Sequence, residues 1–417
     1  MGSADRSKLS CSPPPRLHFI ANAVWGDLVG GGDIHFFELS KGAVDAGYSV
    51  CFFGGPALQK HVTRAGLAGE TVLTEKQRRS KINESSLGGQ FTMFLDYLER
   101  CFRSLFLLRK IAPEDTVYAV TDYWCDTIPA LLARARRKAL VFHMEAPTFS
   151  QILHRSRPDV EAGRLASIHY WLSQNLSLRW FRWCRNKHVF YLHPAMHARL
   201  LGLGYREEEI SLISYGVDTA QAAAVPEQVK RYDVCWIGRV HRQKGIEDLL
   251  DTLAYLAQRI PDFKAILMGK VEPQLRPRVE AMGLSGKVEF SGFISEFDKV
   301  RLFKESRLFL MPSRHEGSPR VVGEALVCGV PVLAYDLPTY RPVFGEFARY
   351  VPAFNLLAFE KEAERQILES RAGRTYLDSL DLAEFRRVNS WENTRAVFVK
   401  GLVPPIKTSS RTAGRAC

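Results

Sequence analysis

Residues 313–331, SRHEGSPRVVGEALVCGVP, decide the fold of this chain. The apolar run 307–311 leads into them and predicts a strand, and residues 331–335 follow them and predict a second strand. The residues between carry helix signals, because Ser318 suits an N-cap, Pro319 the first helical position and Gly329 the C′ position. The stretch is therefore predicted to be a strand, a loop, a helix and a strand.

The start of this helix is a predicted anion site. The backbone N–H groups of Arg320, Val321 and Val322 would point, with the helix dipole, at a ligand. Glu316 comes just before the helix and Glu324 lies in its second turn, and carboxylates accept hydrogen bonds from hydroxyls. The pattern fits a ligand with an anionic middle and hydroxyl-rich ends, which is the shape of a nucleotide sugar.

A plainer interpretation of the same residues stays open. Arg320 and Glu324 are four positions apart and can form an ordinary surface ion pair on the helix. Glu316 can be a solvated loop residue.

A second motif, Gly238-Arg239-x4-Lys244-Gly245, follows a predicted strand at 233–238. Two cations in that loop can neutralise a diphosphate as it leaves. This motif, together with Glu-Gly-Ser-Pro, four residues, Glu-Ala-Leu and Gly-x-Pro-Val, resembles the two signatures of the retaining family 4 glycosyltransferases. The resemblance implies the GT-B fold, which is an α/β fold with two Rossmann-like doubly wound domains that face each other across a cleft.

The resemblance also implies a role for each matched residue. Arg239 and Lys244 would hold the diphosphate, Glu316 the donor sugar and Glu324 the ribose hydroxyls, while His143 would contact the donor sugar at the end of a strand. The remaining substrate-binding residues implied by the resemblance are Gly31, Gly32, Gly238, Phe293, Gly317, Ser318, Pro319, Arg320 and Val321.

The first half of the chain supports the same fold by its order of elements. A strand at 16–24 is followed by glycines at 30–32, a helix at about 34–46 and a strand at 49–53, as in a parallel crossover unit. His35 is expected to be a residue near the helix start rather than a catalyst. Asp122 and His143 follow strands and are expected over the crevice, although a histidine there can also simply cap its strand.

The predicted organisation has six parts. They are a disordered leader (1–15), an N-terminal acceptor-side domain (16–218), a linker (219–231), a nucleotide-sugar domain (232–388), a helix that crosses back (389–402) and a disordered tail (403–417). After residue 335 the chain departs from the resemblance, because a Gly-Gly-x-x-Glu is expected and Asp-Leu-Pro-Thr-Tyr-Arg-Pro stands there.

Composition restricts the partners and the compartment. A net charge of +12 favours acidic partners, but no block of like charge indicates a nucleic-acid arm. Eight dispersed cysteines without Cys-x2-Cys spacing indicate a reducing compartment and no zinc site. No Asp-x-Asp occurs, so neither a metal nor a cofactor is expected. The protein is predicted to be cytoplasmic, with a peripheral contact at the inner face of an anionic membrane as an open alternative.

One predicted helix bears on that alternative. Residues 91–111 are amphipathic, and Arg100, Arg103, Arg109 and Lys110 are expected on a solvated face above a core stripe of Phe102, Leu105 and Phe106. A membrane-surface role is the sharper interpretation of the same residues.

The sequence therefore predicts a retaining, metal-independent hexosyltransferase that uses a nucleoside-diphosphate sugar and a hydroxyl acceptor, either a glycan, a small molecule or a lipid-linked sugar, in polysaccharide or glycoconjugate synthesis. The alternatives are a GT-B relative that does not transfer, such as a nucleotide-sugar epimerase or a phosphorylase, and a catalytically silent nucleotide-sugar-binding protein. A basic nucleic-acid-binding Rossmann protein would explain the charge but neither motif.

Overall fold

The computed structural model describes residues 16–24, 31–75, 87–154, 164–317 and 319–403. Two parallel sheets organise them, and the predicted pair of doubly wound α/β domains is confirmed. The predicted leader and tail, apart from residue 403, lie outside the described residues.

The first sheet has seven strands in the order β3-β2-β1-β4-β5-β6-β7, and all neighbours are parallel. The strands are β1 (Arg16–Ile20), β2 (Ser49–Gly54), β3 (Glu70–Leu73), β4 (Thr116–Ala119), β5 (Arg137–Phe142), β6 (Lys187–Tyr191) and β7 (Ile210–Leu212). The helices described in this part are α1 (Gly31–Asp45), α2 (Pro56–Arg64), α3 (Leu87–Leu107), α4 (Trp124–Leu132), α5 (Phe149–His154), α6 (Arg164–Phe181) and α7 (Ala195–Gly202).

Alternation along the strands divides the first domain into two apolar layers. Leu17 and Phe19 of β1 pack with α1 and α2 on one face, whereas Ile20 packs on the other face with α4 and the end of α6. Because helices cover both faces, the central strands are buried along their whole length, as the near-continuous apolar runs in the sequence predict.

The second sheet has six strands in the order β10-β9-β8-β11-β12-β13, again all parallel. The strands are β8 (Tyr232–Ile237), β9 (Ala265–Met268), β10 (Val288–Phe290), β11 (Ser306–Met311), β12 (Val332–Tyr335) and β13 (Arg349–Val351). The helices from the linker onward are α8 (Thr219–Ala224), α9 (Ile246–Arg259), α10 (Glu272–Ala281), α11 (Glu296–Lys304), α12 (Arg320–Val327), α13 (Arg341–Phe344), α14 (Leu356–Arg371), α15 (Leu382–Val388) and α16 (Trp391–Leu402).

The chain crosses between the domains twice, and the two crossings touch. The N–H of Val217 donates to the carbonyl of Asn389 (2.8 Å), and Val217 also pairs with Ser390 in a parallel bridge. Gly216 lies so close to Trp391 that a Cβ there would be 2.2 Å from the indole ring, so only glycine fits. After this crossing, α16 packs against α1 and returns to the first domain.

The carboxyl ends of both sheets face the cleft between the domains. His193, just after β6, donates from Nε2 to the carbonyl of Thr339, which follows β12 (2.9 Å). Loops that follow parallel strands carry the binding groups of open α/β sheets, so this cleft is where a ligand is expected. No helix within the described ranges has the length and apolarity needed to span a bilayer.

Candidate active site

Two loops of the second domain form one wall of the cleft, and they lie side by side because β8 and β11 are neighbours. The Nζ of Lys244, at the end of the loop after β8, forms an ion pair with Glu316 in the loop after β11. Gln243 joins the same loops, since its carbonyl accepts from the N–H of Arg314 (2.8 Å) and its Nε2 donates to the carbonyl of His315 (2.8 Å). The two motifs recognised in the sequence are therefore one structural unit.

Gly245 makes this unit possible. Its φ of +65° is in the left-handed region, and a Cβ there would be 1.9 Å from the carbonyl oxygen of Pro312. Any other residue would push the Lys244 loop away from the Glu316 loop. The geometry of the ion pair thus depends on a glycine that the motif places next to the lysine.

A buried carboxylate holds both loops from behind. Asp248, in the first turn of α9, accepts hydrogen bonds from Arg314 (2.8 Å) and from the hydroxyl of Tyr335 (2.8 Å). This contact turns the Arg314 guanidinium toward α9. Arg314 therefore stabilises the loop after β11, and its guanidinium does not face the cleft.

The helix that follows Glu316 begins one residue later than predicted. Pro319 is the N-cap, with an extended backbone, and Arg320 is the first helical residue of α12; Ser318, predicted as the N-cap, lies outside the described residues. The N–H of Val322 donates to the carbonyl of Pro319 (3.1 Å), so the expectation that it faces an anion is wrong. The amides of Arg320 and Val321 keep that predicted role.

Glu324 lies between two cations. Its carboxylate is 3.0 Å from Nε of Arg320 and 3.0 Å from Nζ of Lys299, which comes from α11. The ion pair between Arg320 and Glu324, which the sequence allowed as an alternative to ligand binding, is thus present. Lys299 is a further partner of Glu324 that the sequence did not predict. Lys299 also pairs with Glu296 (2.6 Å), so it keeps a counter-charge when a ligand engages Glu324.

Arg239 is exposed and has no polar partner among the described residues. It follows Gly238, where a Cβ would be 2.7 Å from the ring of Trp236, so this backbone lies tightly against the core. Phe293, after β10, has 81% of its surface exposed, and the Lys270 ammonium is 5.3 Å from its ring centroid. Arg239 at the end of β8 is suited to a phosphate, and the exposed ring of Phe293 at the end of β10, on the far side of β9, is suited to a planar base.

The opposite wall of the cleft begins with two glycines. Gly31 and Gly32 are the first residues of α1, so the helix starts about three residues before the predicted position, and Gly30 lies outside the described residues. A Cβ on Gly32 would be 4.0 Å from Cε1 of His143. The glycine start of α1 and the end of β5 therefore meet in the cleft.

His143 is held as a neutral ring. Nε2–H donates to the carbonyl of Val120 (3.1 Å), and Nδ1 faces the hydroxyl of Tyr215 (3.3 Å). Burial lowers the pKa of His143 to about 4, so its charged form is absent at neutral pH. The residue thus caps the end of the neighbouring strand, and an uncharged edge is what it can offer to a sugar.

His35 is fully buried behind His143, with its ring centroid 6.1 Å from that of His143 and 5.1 Å from that of Tyr215. Burial lowers the pKa of His35 to about 3. It is a packing residue of α1, as expected, and has no access to substrate. Gly317 meets the first domain at Met144, because a Cβ on Gly317 would be 3.3 Å from the Met144 sulfur.

A buried carboxylate, Asp122, lies close to the same wall. The sequence predicted only that it follows a strand at the crevice. Asp122 accepts from Nε2 of Gln174 (2.7 Å), and the same nitrogen lies 2.7 Å from the carbonyl oxygen of Met144. Burial raises the pKa of Asp122 to about 7. Gln174, on α6, was not predicted; it connects Asp122 to the loop that carries His143.

Known proteins resemble the second half of this chain most clearly. Residues 218–368 match the family model described as Glycosyl transferases group 1. The serotype-specific mannosyltransferase WbdA of Escherichia coli is 26% identical over 217 residues, which are 50% of this chain and 26% of WbdA. Mannosylfructose-phosphate synthase of Agrobacterium fabrum is 32% identical over 131 residues, which are 28% of this chain and 29% of that enzyme. The chain thus spans less than a third of either relative.

Solved structures extend the likeness to both domains. Anabaena Alr3699/HepE, solved in complex with UDP and glucose, matches with a TM-score of 0.63 and 18% identity over 93% of this chain and 98% of that chain. Sucrose-phosphate synthase (tll1590) from Thermosynechococcus elongatus matches with a TM-score of 0.65 and 18% identity over 93% of this chain and 97% of that chain. At such identity these matches show the fold, which is the two-domain GT-B arrangement.

Proposed function

We propose that this protein transfers a hexose-type sugar from a nucleoside-diphosphate sugar to a hydroxyl acceptor, with retention of configuration and without a metal ion. The match of residues 218–368 to the family model of the group 1 glycosyltransferases supports this proposal. The observation that carries the proposal is the joined pair of loops in which Lys244, Glu316 and Arg239 lie beside the start of α12. The acceptor is a glycan, a small molecule or a lipid-linked sugar, and the protein acts in polysaccharide or glycoconjugate synthesis in the cytoplasm, in peripheral contact with an anionic membrane.

The chemistry divides between the two walls of the cleft. When the bond between the sugar C1 and the diphosphate oxygen breaks, negative charge develops on the departing diphosphate. Arg239, Lys244 and the first amides of α12 would stabilise that charge more in the transition state than in the ground state. The acceptor oxygen forms its bond to C1 on the same face, and its proton passes to the departing phosphate.

Hydroxyl groups of the donor would be held by carboxylates. Glu324 would bind the ribose, and Glu316 would bind the transferred sugar after Lys244 turns to the diphosphate. His143, neutral and at the end of β5, would contact the same sugar from the first domain. Metal independence rests on the two cations and on the lack of Asp-x-Asp in the sequence.

The names of these relatives favour sugar transfer over an epimerase, a phosphorylase or a silent sugar-binding protein. WbdA is a mannosyltransferase, and a further relative from Xanthomonas campestris, 27% identical over 135 residues, is a GDP-mannose:cellobiosyl-diphosphopolyprenol alpha-mannosyltransferase. HepE was solved with UDP-glucose. Both guanosine and uridine donors are therefore candidates for this chain.

The test is a panel of UDP-, GDP- and ADP-sugars incubated with the purified protein, with release of nucleoside diphosphate as the signal. We expect slow hydrolysis of one donor, release of the freed sugar in the anomeric configuration of the donor by proton NMR, and loss of about 10²–10³ in rate for Lys244→Ala. Lys264→Ala, an exposed lysine just before β9, is the matched control. Binding of a nucleotide sugar without release of nucleoside diphosphate would favour the catalytically silent sugar-binding protein. A freed sugar with the anomeric configuration opposite to that of the donor would refute retention.

A further inference from the structure

The outward side of α3 differs in part from the prediction, because Arg109 and Lys110 after it are exposed as expected but three other residues are not where the sequence placed them. Arg100, expected in solvent, is buried at 3% exposure, whereas Phe102 and Phe106, expected in the core, are 64% and 66% exposed. Leu95 and Leu98 continue the same exposed side toward the cleft at 44% and 40%. Because these residues recur every three or four positions, they form one apolar stripe along the helix.

α6 carries a second apolar stripe, and α4 packs between the two helices. We call the outward side of α3, α4, α5 and α6, with the turn after α6, the outer face. Fourteen of the 26 exposed large apolar side chains of the described residues lie on it: Phe91, Phe94, Leu95, Leu98, Phe102, Phe106, Leu132, Phe149, Leu153, Leu165, Leu172, Leu176, Trp180 and Trp183. Such a concentration marks an interaction surface rather than scattered exposure.

The charge of the outer face is positive at one end. Arg109 and Lys110, after α3, and Arg179 and Arg185, near the end of α6, are exposed and form no ion pair among the described residues. α6 contains no acidic residue, and of the two acidic residues of α3, Glu99 pairs with Arg103 (2.9 Å) and Asp96 lies in the first half of the helix. Glu114 is the exposed acidic residue that follows Lys110. Both helices return between parallel strands, so their cationic ends lie at the same edge of the sheet.

The other end of the outer face opens toward the cleft. A cavity of about 320 Å³ lies at the start of α3 and α6, between Phe91, Phe94, Leu165 and Tyr123. The ring of Tyr123 stacks on Tyr170 at 5.3 Å, and the Tyr170 hydroxyl donates to the carbonyl of Met144 (2.8 Å), next to His143. The apolar face is therefore continuous, through one layer of side chains, with the proposed transfer site.

We propose that the outer face lies on an anionic lipid bilayer, so that an acceptor held in that bilayer reaches the cleft at this cavity. This inference assigns the membrane contact of the proposed function to one surface, and only the acceptor in it rests on the transfer activity. Apolar and tryptophan side chains beside unpaired cations are the composition of a surface that enters the boundary between headgroups and acyl chains. A symmetric pair of copies with parallel helices would bring the unpaired cations against one another, whereas anionic headgroups neutralise them.

The experiment is flotation of the full chain with vesicles made of equal parts phosphatidylglycerol and phosphatidylcholine, or of phosphatidylcholine alone. We expect binding to the anionic vesicles, weaker binding as salt rises, and a loss of about tenfold or more in Phe102→Ser/Phe106→Ser. The matched control is Leu357→Ser/Leu368→Ser, which removes two exposed apolar residues from α14 and should float like the wild type. Arg109→Glu/Lys110→Glu should lose the preference for phosphatidylglycerol.

Several results would overturn the proposal. They are absence of wild-type binding to the anionic vesicles, equal binding by the phenylalanine variant and its control, and a wild-type dimer that the phenylalanine variant converts to monomer. Circular dichroism spectra show whether each of the three variants is folded. Titration of the wild type with nucleoside diphosphate separates the two proposals, since a wild type that floats but binds no nucleotide would refute the glycosyltransferase and leave the membrane contact intact.

Discussion

The ion pair between Lys244 and Glu316 leads to a prediction with opposite signs for its two partners. The side chains are 17% and 9% exposed, so the pair is largely shielded from water. A diphosphate that binds at the strand ends must take Lys244 away from Glu316 or share it. Glu316→Gln removes the competing charge and keeps the shape, whereas Lys244→Ala removes the cation that the phosphate needs.

The magnitudes follow from the charges involved. A hydrogen bond to a charged group contributes about 1.5–3 kcal/mol, so Lys244→Ala should weaken a bare nucleoside diphosphate by about tenfold to a hundredfold. Lys244→Ala also leaves the carboxylate of Glu316 without its counter-charge next to the proposed phosphate position, and this repulsion weakens nucleotide binding further. Glu316→Gln should leave the affinity unchanged or raise it by up to about tenfold, because Lys244 no longer has to leave a carboxylate.

Calorimetric titration of both variants with nucleoside diphosphate measures these changes, and turnover of the full donor completes the test. Glu316→Gln should bind the nucleotide well and still lose turnover, since the transferred sugar loses its carboxylate. Glu114→Gln, an exposed glutamate of the first domain, is the control for the substitution itself. A Glu316→Gln variant that binds nucleotide tenfold more weakly and turns over donor normally would show that Glu316 holds the nucleotide and that the assignment is reversed.

Four further predictions test other parts of the structure. Glu324→Gln should weaken both the nucleoside diphosphate and the full donor by about tenfold or more in calorimetry, and an unchanged affinity would reduce Glu324 to an ion-pair partner. Turnover should persist in excess chelator, because Arg239 and Lys244 are proposed to neutralise the diphosphate in place of a metal ion; activity that disappears and returns with magnesium would contradict this. Gly245→Ala should lower the unfolding free energy by about 1–3 kcal/mol in urea titrations, as its Cβ would meet the carbonyl of Pro312, and wild-type stability would disprove that clash. Burial raises the pKa of Asp126 from 3.8 to about 7, so the stability that its protonated form contributes is full below pH 3.8 and is lost as pH rises through 7. Asp126→Asn should therefore remove up to about 4 kcal/mol of the change in unfolding free energy over this pH range. An unchanged dependence of the unfolding free energy on pH would contradict a buried proton on Asp126.

The second domain was predictable because its signals are local and agree with one another. Strands and helices alternate from residue 232 onward, and the residues that meet in the cleft follow strand ends whose order in the sheet is restricted by the handedness of crossovers. The contact between Lys244 and Glu316 follows from that topology, since their strands are neighbours. Because each motif directly follows a strand, the sequence alone places both residues at the carboxyl edge of the sheet.

The partners of individual side chains were not predictable in the same way. Lys299 reaches Glu324 from α11, and Tyr215 reaches His143 from the crossing between the domains. Each contact joins segments whose separation along the chain has no characteristic spacing, so only the packed structure brings them together. The start of α1 at Gly31 was missed for another reason: glycine has low helix propensity, and its position in the first turn is decided by packing in the cleft.

The reversal of α3 shows how one buried polar group decides which way a helix faces. Periodicity states that Phe102 and Phe106 share a side of the helix, but it does not say whether that side points inward. Arg100 donates to the carbonyls of Asn22 (2.6 Å) and Val24 (2.9 Å) after β1 and pairs with Glu75, so it satisfies backbone acceptors that would otherwise be buried without partners. Turning the phenylalanines inward would leave those carbonyls unpaired and Glu75 without its cation, which costs more than the burial of two rings returns. The outward phenylalanines are therefore a consequence of how the chain leaves β1, since Arg100 binds the carbonyls that follow that strand.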